Sequence, residues 1–158
     1  MSRSPVQIRL ATPEDTCRLA ARLGARLRPG DTLLLSGPIG AGKSHFARCL
    51  IQSLQDVPED VPSPTFTLVQ SYAVPAGEIW HADLYRLGDP QELAELGLDE
   101  AFETAICLVE WPERLGGTWP ADALRLDFTP DQAAEARLLT LAWEAPVWDG
   151  RLAGLTDE

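Results

Sequence analysis

Eight residues, Gly37-Pro38-Ile39-Gly40-Ala41-Gly42-Lys43-Ser44, limit what this chain can fold into more than any other stretch. They match G-x-x-x-x-G-K-[ST], a loop whose glycines let backbone N–H groups converge on phosphate oxygens, aided by the dipole of the helix that follows. The loop works only between a buried strand and a helix. Both flanks read that way: "TLLLS" (32 to 36) is a short apolar run bounded by turn residues, and "SHFARCLIQSL" repeats apolar residues at helical spacing. Lys43 supplies a compact charge for β- and γ-phosphates, and the Ser44 hydroxyl can ligate Mg²⁺. Of the 13 lysine and arginine residues Lys43 is the only lysine, which suggests a site that a planar guanidinium does not fit.

The remaining segments alternate between strand and helix. "PVQIRL" (5 to 10) reads as a strand, and Thr12-Pro13-Glu14-Asp15 as a helix start, with a cap, a proline at the first position and acids in the first turn. That helix is expected to reach about Arg28 and stop at Pro29-Gly30. "VPEDVPSPTF" is a proline-broken loop. "FTLVQSYAV" and "EIWHADLYRL" form a hairpin across Pro75-Ala76-Gly77, and Asp89-Pro90-Gln91-Glu92 opens a further helix. "AICLVEW" (105 to 111) is a second buried strand; "ALRLDF" and "RLLTLAW" are two more. The expectation is a single α/β domain over 1–146, a P-loop NTPase-like fold with a mixed, mainly parallel central sheet flanked by helices, and a polar, loosely held tail over 147–158.

Charge narrows the partners. A net charge of −11 repels phosphate backbones, so tight direct binding of nucleic acid is not expected. The N-terminus has no long apolar segment, and no run approaches the roughly 18 apolar residues of a membrane span, so a soluble, cytoplasmic protein is expected. Cys17, Cys49 and Cys107 are far apart in sequence and form no C-x-x-C, which argues for separate buried thiols and against a disulfide or a zinc site.

A nucleotide site also needs acids at neighbouring strand ends. Glu110 follows the apolar "ICLV" and should emerge at a carboxyl-terminal strand edge. Asp83 follows "IWHA", where alternation puts His81, Asp83 and Tyr85 on one face and Trp80, Ala82 and Leu84 on the other. For His81 a structural hydrogen-bonding role is the plainer reading. The chain contains no asparagine, so an asparagine-based guanine reader is excluded and ATP is favoured over GTP. No segment reads as an arginine-bearing lid, which leaves a small-molecule kinase as the second reading.

In order and spacing, "SGPIGAGKS", "SPTFTLVQSY", "HADLYRLGDPQELAELGLDE" and "ICLVEWPER" together resemble the bacterial TsaE (YjeE) family, small ATPases of tRNA threonylcarbamoyladenosine modification. The resemblance spans about residues 12 to 113. It implies bound ATP and Mg²⁺, weak ATPase activity stimulated by the partner proteins TsaD and TsaB, and action on that complex rather than on tRNA. It also implies a magnesium role for Ser44 and Glu110, a switch-like role near the γ-phosphate for Thr65, a metal-water or catalytic role for Asp83 and a place beside the nucleotide for Trp111. Glu14 and Thr16 are candidates for adenine contact, with helix capping the alternative. Two departures stand in the loop: Pro38 where the family has an acid, and Ser44 where it has threonine. A basic residue near the last strands has Arg137 as its candidate. A nucleotide-dependent assembly factor that docks through exposed aromatics such as Trp111 and Trp119 is the alternative to an enzyme.

Overall fold

The structure, a computed structural model, describes residues 4–55, 68–85, 87, 91–115, 119–131 and 136–155. Among these residues the strands are β1 (Val6–Leu10), β2 (Thr32–Ser36), β3 (Val69–Val74), β4 (Gly77–Asp83), β5 (Ile106–Glu110), β6 (Leu124–Pro130) and β7 (Arg137–Ala142). The helices are α1 (Pro13–Gly24), α2 (Lys43–Leu54), α3 (Gln91–Leu96), α4 (Leu98–Thr104) and α5 (Val147–Arg151), with a 3₁₀ turn at Pro112–Leu115. The strands form one sheet in the order β1-β7-β6-β2-β5-β4-β3. Its four central strands, β6, β2, β5 and β4, are mutually parallel, and antiparallel pairs close each end. This is the expected α/β class with a mixed, centrally parallel sheet.

Sequence pattern explains each position. In β2 and β5, "TLLL" and "ICLV" are buried on both faces, as strands inside a covered sheet must be. Leu33 and Leu35 join Leu23, Phe46, Leu50 and Ile51 in the layer beneath α1 and α2. Leu34 points the other way and packs with Ala82, Leu84, Leu98 and Val109. β6 alternates, burying Leu124, Leu126 and Phe128 while Arg125, Asp127 and Thr129 stay exposed. The β3–β4 hairpin has register Val74↔Gly77, so Pro75-Ala76 is a two-residue connection. No helix among the described residues is long and apolar enough to cross a membrane.

Three expectations need correction. α1 starts as expected, with Asp15 N–H donating to Thr12 Oγ1 at 3.2 Å, but it ends at Gly24 rather than near Arg28. Proline 29 disfavours helical backbone at Arg28, and the Arg28 N–H donates instead to Asp31 Oδ2 at 2.7 Å. Residues 147–155 are not loosely held. α5 buries Trp148 to 1% exposure, its indole N–H donates to the Asp122 carbonyl at 2.7 Å, and Leu155 enters the main core. Arg151 of α5 pairs with Asp31, which joins this segment to the β2 side of the sheet.

The third correction concerns the cysteines. Cys17 on α1 and Cys49 on α2 are bonded to each other, 32 residues apart, with Cα atoms separated by 5.1 Å. Packing of α1 along α2 brings them together, and sequence spacing carries no trace of that contact. Cys107 remains a free, buried thiol.

Candidate nucleotide-binding site

The loop between β2 and α2 places three glycines, Gly37, Gly40 and Gly42, in backbone with positive φ. Gly37 has φ +140°, and a Cβ there would stand 2.5 Å from the Phe128 carbonyl oxygen of β6. Gly42 caps α2 in the left-handed region at φ +104°. No side chain caps α2 and its first turn carries no acid, so the positive end of its dipole is left to the loop. Arg137 at the start of β7 lines the same cavity as the loop and braces it, donating to the Ala41 and Gly40 carbonyls at 3.0 Å each. This is the arginine nominated from sequence for the family's basic position near the last strands.

Lys43 is the first residue of α2 and is 5% exposed. Its ammonium donates to the Gly37 carbonyl and lies 3.5 Å from the centroid of the Trp111 ring. Burial pulls the Lys43 pKa below the usual lysine value, while the carboxylates of Glu110, Glu113 and Asp83 pull it back up. Trp111 reaches this position because its backbone is left-handed, with φ +60°, immediately after β5. Such a conformation costs a non-glycine residue of order 1–3 kcal/mol and tends to occur where function demands it. The indole also packs on Tyr85, with ring centroids 4.9 Å apart. Trp111 is thus a partly buried wall of the site, not an exposed docking aromatic.

Parallel register supplies the acids. Leu35 of β2 aligns with Glu110 of β5, and Glu110 aligns with Asp83 of β4, so both carboxylates emerge in one row at the carboxyl ends of the strands. Glu110 is 1% exposed. The Ser44 hydroxyl donates to its carboxylate, 2.9 Å from Oε1 and 3.1 Å from Oε2, and His81 Nε2–H donates to Oε2 at 2.6 Å. His81 is likewise 1% exposed, and its Nδ1 has no hydrogen-bond partner among the described residues. Asp83 accepts from the Tyr85 N–H at 3.1 Å. Burial pushes the Asp83 pKa up, and the charge of Glu110 adds to that.

These groups surround a cavity of about 720 Å³. Ile39, Gly40, Gly42, Lys43 and Ser44 line it from the loop, Asp83, Glu110 and Trp111 from the strand ends, and Thr16 from α1. Gly37, Pro38 and Ala41 shape the loop without lining the cavity. Glu14 is exposed on α1 and does not line it either. Thr65 lies outside the described residues. Sequence reading missed four lining residues: Pro13, His45, Arg48 and Tyr85. The alternation that put Tyr85 on the polar face with Asp83 was the one available signal among them.

The residues fit a nucleoside triphosphate with magnesium. Lys43, the one buried cation among the described residues, faces into the loop, and a hydroxyl and a carboxylate at 2.9 Å are the hard oxygen donors magnesium selects. Thr16, 5% exposed, closes the α1 side of the cavity, where it can meet the rest of such a ligand.

Comparison with known proteins agrees with this geometry. The family model for TsaE, threonylcarbamoyl adenosine biosynthesis protein, matches residues 10–139. A tRNA threonylcarbamoyladenosine biosynthesis protein TsaE of Rickettsia bellii is 37% identical over 118 residues, covering 75% of this chain and 82% of that protein. The Bacillus subtilis protein of the same name is 37% identical over 119 residues, 75% of this chain and 73% of its own. The crystal structure of YdiB from Bacillus subtilis superposes with a TM-score of 0.77 at 27% identity, over 98% of this chain and 95% of that one. With the family model spanning the phosphate loop, both carboxylates and Arg137, this chain belongs to the TsaE family.

Proposed function

We propose that this chain binds ATP with Mg²⁺ in the cleft around Lys43 and hydrolyses it, as a component of tRNA threonylcarbamoyladenosine biosynthesis that acts on a TsaD–TsaB complex. The observation that carries the reading is the Ser44–Glu110 pair, a hydroxyl at the start of α2 held 2.9 Å from a buried carboxylate at the end of β5. Family membership supports the pathway, and the net charge of −11 favours a protein partner over direct contact with tRNA.

Each residue has a distinct task. The loop amides and Lys43 hold the β- and γ-phosphates, and the Trp111 face keeps the ammonium aimed inward by a cation–π contact. Ser44 and Glu110 are the residues that hold Mg²⁺, with Asp83 beside them. When bound, that ion neutralises charge developing on the γ-phosphate. His81 fixes the Glu110 carboxylate from behind through the 2.6 Å hydrogen bond, so the acid meets its ligand already oriented. Asp83, more basic than an ordinary carboxylate, is suited to orient the attacking water and take its proton. Thr65 belongs to the switch-like loop in this reading.

The test is ATP hydrolysis by the purified chain alone and with TsaD and TsaB, in magnesium. The expected result is slow turnover alone and a clear increase with both partners. Hydrolysis absent under both conditions overturns the enzymatic reading and leaves that of a nucleotide-dependent assembly factor.

A further inference from the structure

Beside the nucleotide cleft, and unused by the chemistry above, two sulfurs and an imidazole meet. Cys17 of α1 and Cys49 of α2 are bonded, and His45, one helical turn before Cys49, points its Nε2 at both, 3.6 Å from Cys17 Sγ and 3.7 Å from Cys49 Sγ. The three donor atoms all lie within 4.8 Å of one another, the one such group of histidine, cysteine and acidic side chains found among the described residues. His45 and Cys49 share a helix face at i and i+4, so the pair is held by backbone geometry rather than by loop conformation.

We propose that the reduced chain binds one soft divalent cation, of which zinc is the type, through Cys17, His45 and Cys49. A tetrahedral ion with Zn–S about 2.3 Å and Zn–N about 2.0–2.1 Å sets its sulfur and nitrogen ligands about 3.6 Å apart. Both sulfur-to-imidazole distances already have that value. The third edge, sulfur to sulfur, opens on reduction. A dithiol reductant gives two electrons and two protons to the Cys17–Cys49 bond and becomes a disulfide itself. The cation then displaces the two thiol protons and is held by thiolates. His45 Nε2–H donates to the Pro13 carbonyl at 3.1 Å in the present structure, so ligation through Nε2 moves that hydrogen to Nδ1, giving the other neutral tautomer. Three protein ligands leave a fourth position for water or an external donor. Because Pro13 and His45 also line the nucleotide cavity, an ion here ties α1 to α2 at its rim.

The proposal stands whether or not the chain hydrolyses ATP, and its test does not use turnover. Protein reduced with a dithiol and freed of it under anaerobic conditions is titrated with Co²⁺, then with Zn²⁺ against a chromophoric chelator. Excess Mg²⁺ is present throughout to occupy the Ser44–Glu110 site. The expected result is one equivalent bound, with a thiolate-to-cobalt charge-transfer band that zinc abolishes. Cys17→Ser, Cys49→Ser and His45→Gln each remove a direct ligand and should each weaken zinc by more than the roughly 10- to 100-fold that loss of an outer-shell partner costs. Far-UV circular dichroism of the Cys17→Ser/Cys49→Ser double variant separates loss of ligands from loss of fold. A folded, reduced wild type that shows no charge-transfer band, or zinc affinity unchanged in the folded double variant, overturns the site.

Discussion

The Lys43 ammonium lies between the Gly37 carbonyl and the Trp111 ring as a compact point charge, which a longer planar fork does not reproduce. Lys43→Ala should therefore leave the fold intact and weaken ATP binding by at least about 100-fold, the scale on which one buried, charge-assisted contact is felt. Lys43→Arg should also be impaired. Titration calorimetry checks both, and wild-type affinity in either variant contradicts the account. At Gly37 the expected failure is structural, since a Cβ at φ +140° meets the Phe128 carbonyl at 2.5 Å. Gly37→Ala should lose roughly 1–3 kcal/mol of stability together with ATP binding, read from the denaturant midpoint and from calorimetry. At this scale the sequence was most legible. A motif with fixed spacing names Lys43 and Ser44, and the ends of apolar strand runs name Glu110 and Asp83; all four line the cavity. Pro13, His45 and Arg48 were not legible, because no spacing rule says which helix side chains turn toward a loop.

Among the elements, β5 combines two roles: it carries Glu110 at its end and Cys107 in its interior. Burial pushes the Cys107 thiol up to about 12 from an ordinary value of 9.0, and the charge of Glu78 adds to the shift. The folded form thus holds this proton more tightly than the unfolded form. Stability from the group is full below pH 9.0 and falls as the pH rises toward about 12. Relative to Cys107→Ala, which has no thiol to titrate, the wild type should lose stability progressively across that alkaline window. Urea midpoints for both proteins at several pH values test this, and a constant difference contradicts it. The elements were legible where apolar runs or turn chemistry were strong, as in β2, β5, the Pro75-Ala76 hairpin and the capped start of α1. The end of α1 was not, because Asp31 supplies a hydrogen bond three residues downstream that competes with one more helical turn.

For the whole molecule, the C-terminal segment was misread because Trp148, Leu152 and Leu155 turn inward although charged and small residues separate them and Val147 stays exposed. Short segments of this kind carry too few residues for periodicity to register. Trp148→Ala should cost about 3–5 kcal/mol, as loss of a fully buried aromatic does, and a midpoint within error of wild type would show that α5 is dispensable. The Cys17–Cys49 contact was illegible for a different reason, since it depends on how two helices pack across the sheet. Strand order is also invisible in local pattern, yet it is what aligns Asp83, Glu110 and Leu35 and so creates the site.

The central claim is that the buried carboxylate at the end of β5 serves the reaction more than the binding of nucleotide. Glu110→Gln preserves shape and removes the charge, leaving the loop amides and Lys43 to hold the phosphates. The decisive measurement is partner-stimulated ATP hydrolysis by this variant, set beside its ATP affinity. The account predicts turnover lower by roughly 100-fold or more with affinity changed by less than about tenfold, and the same split for Asp83→Asn. Turnover within about twofold of wild type in both variants would contradict it and make the two carboxylates structural.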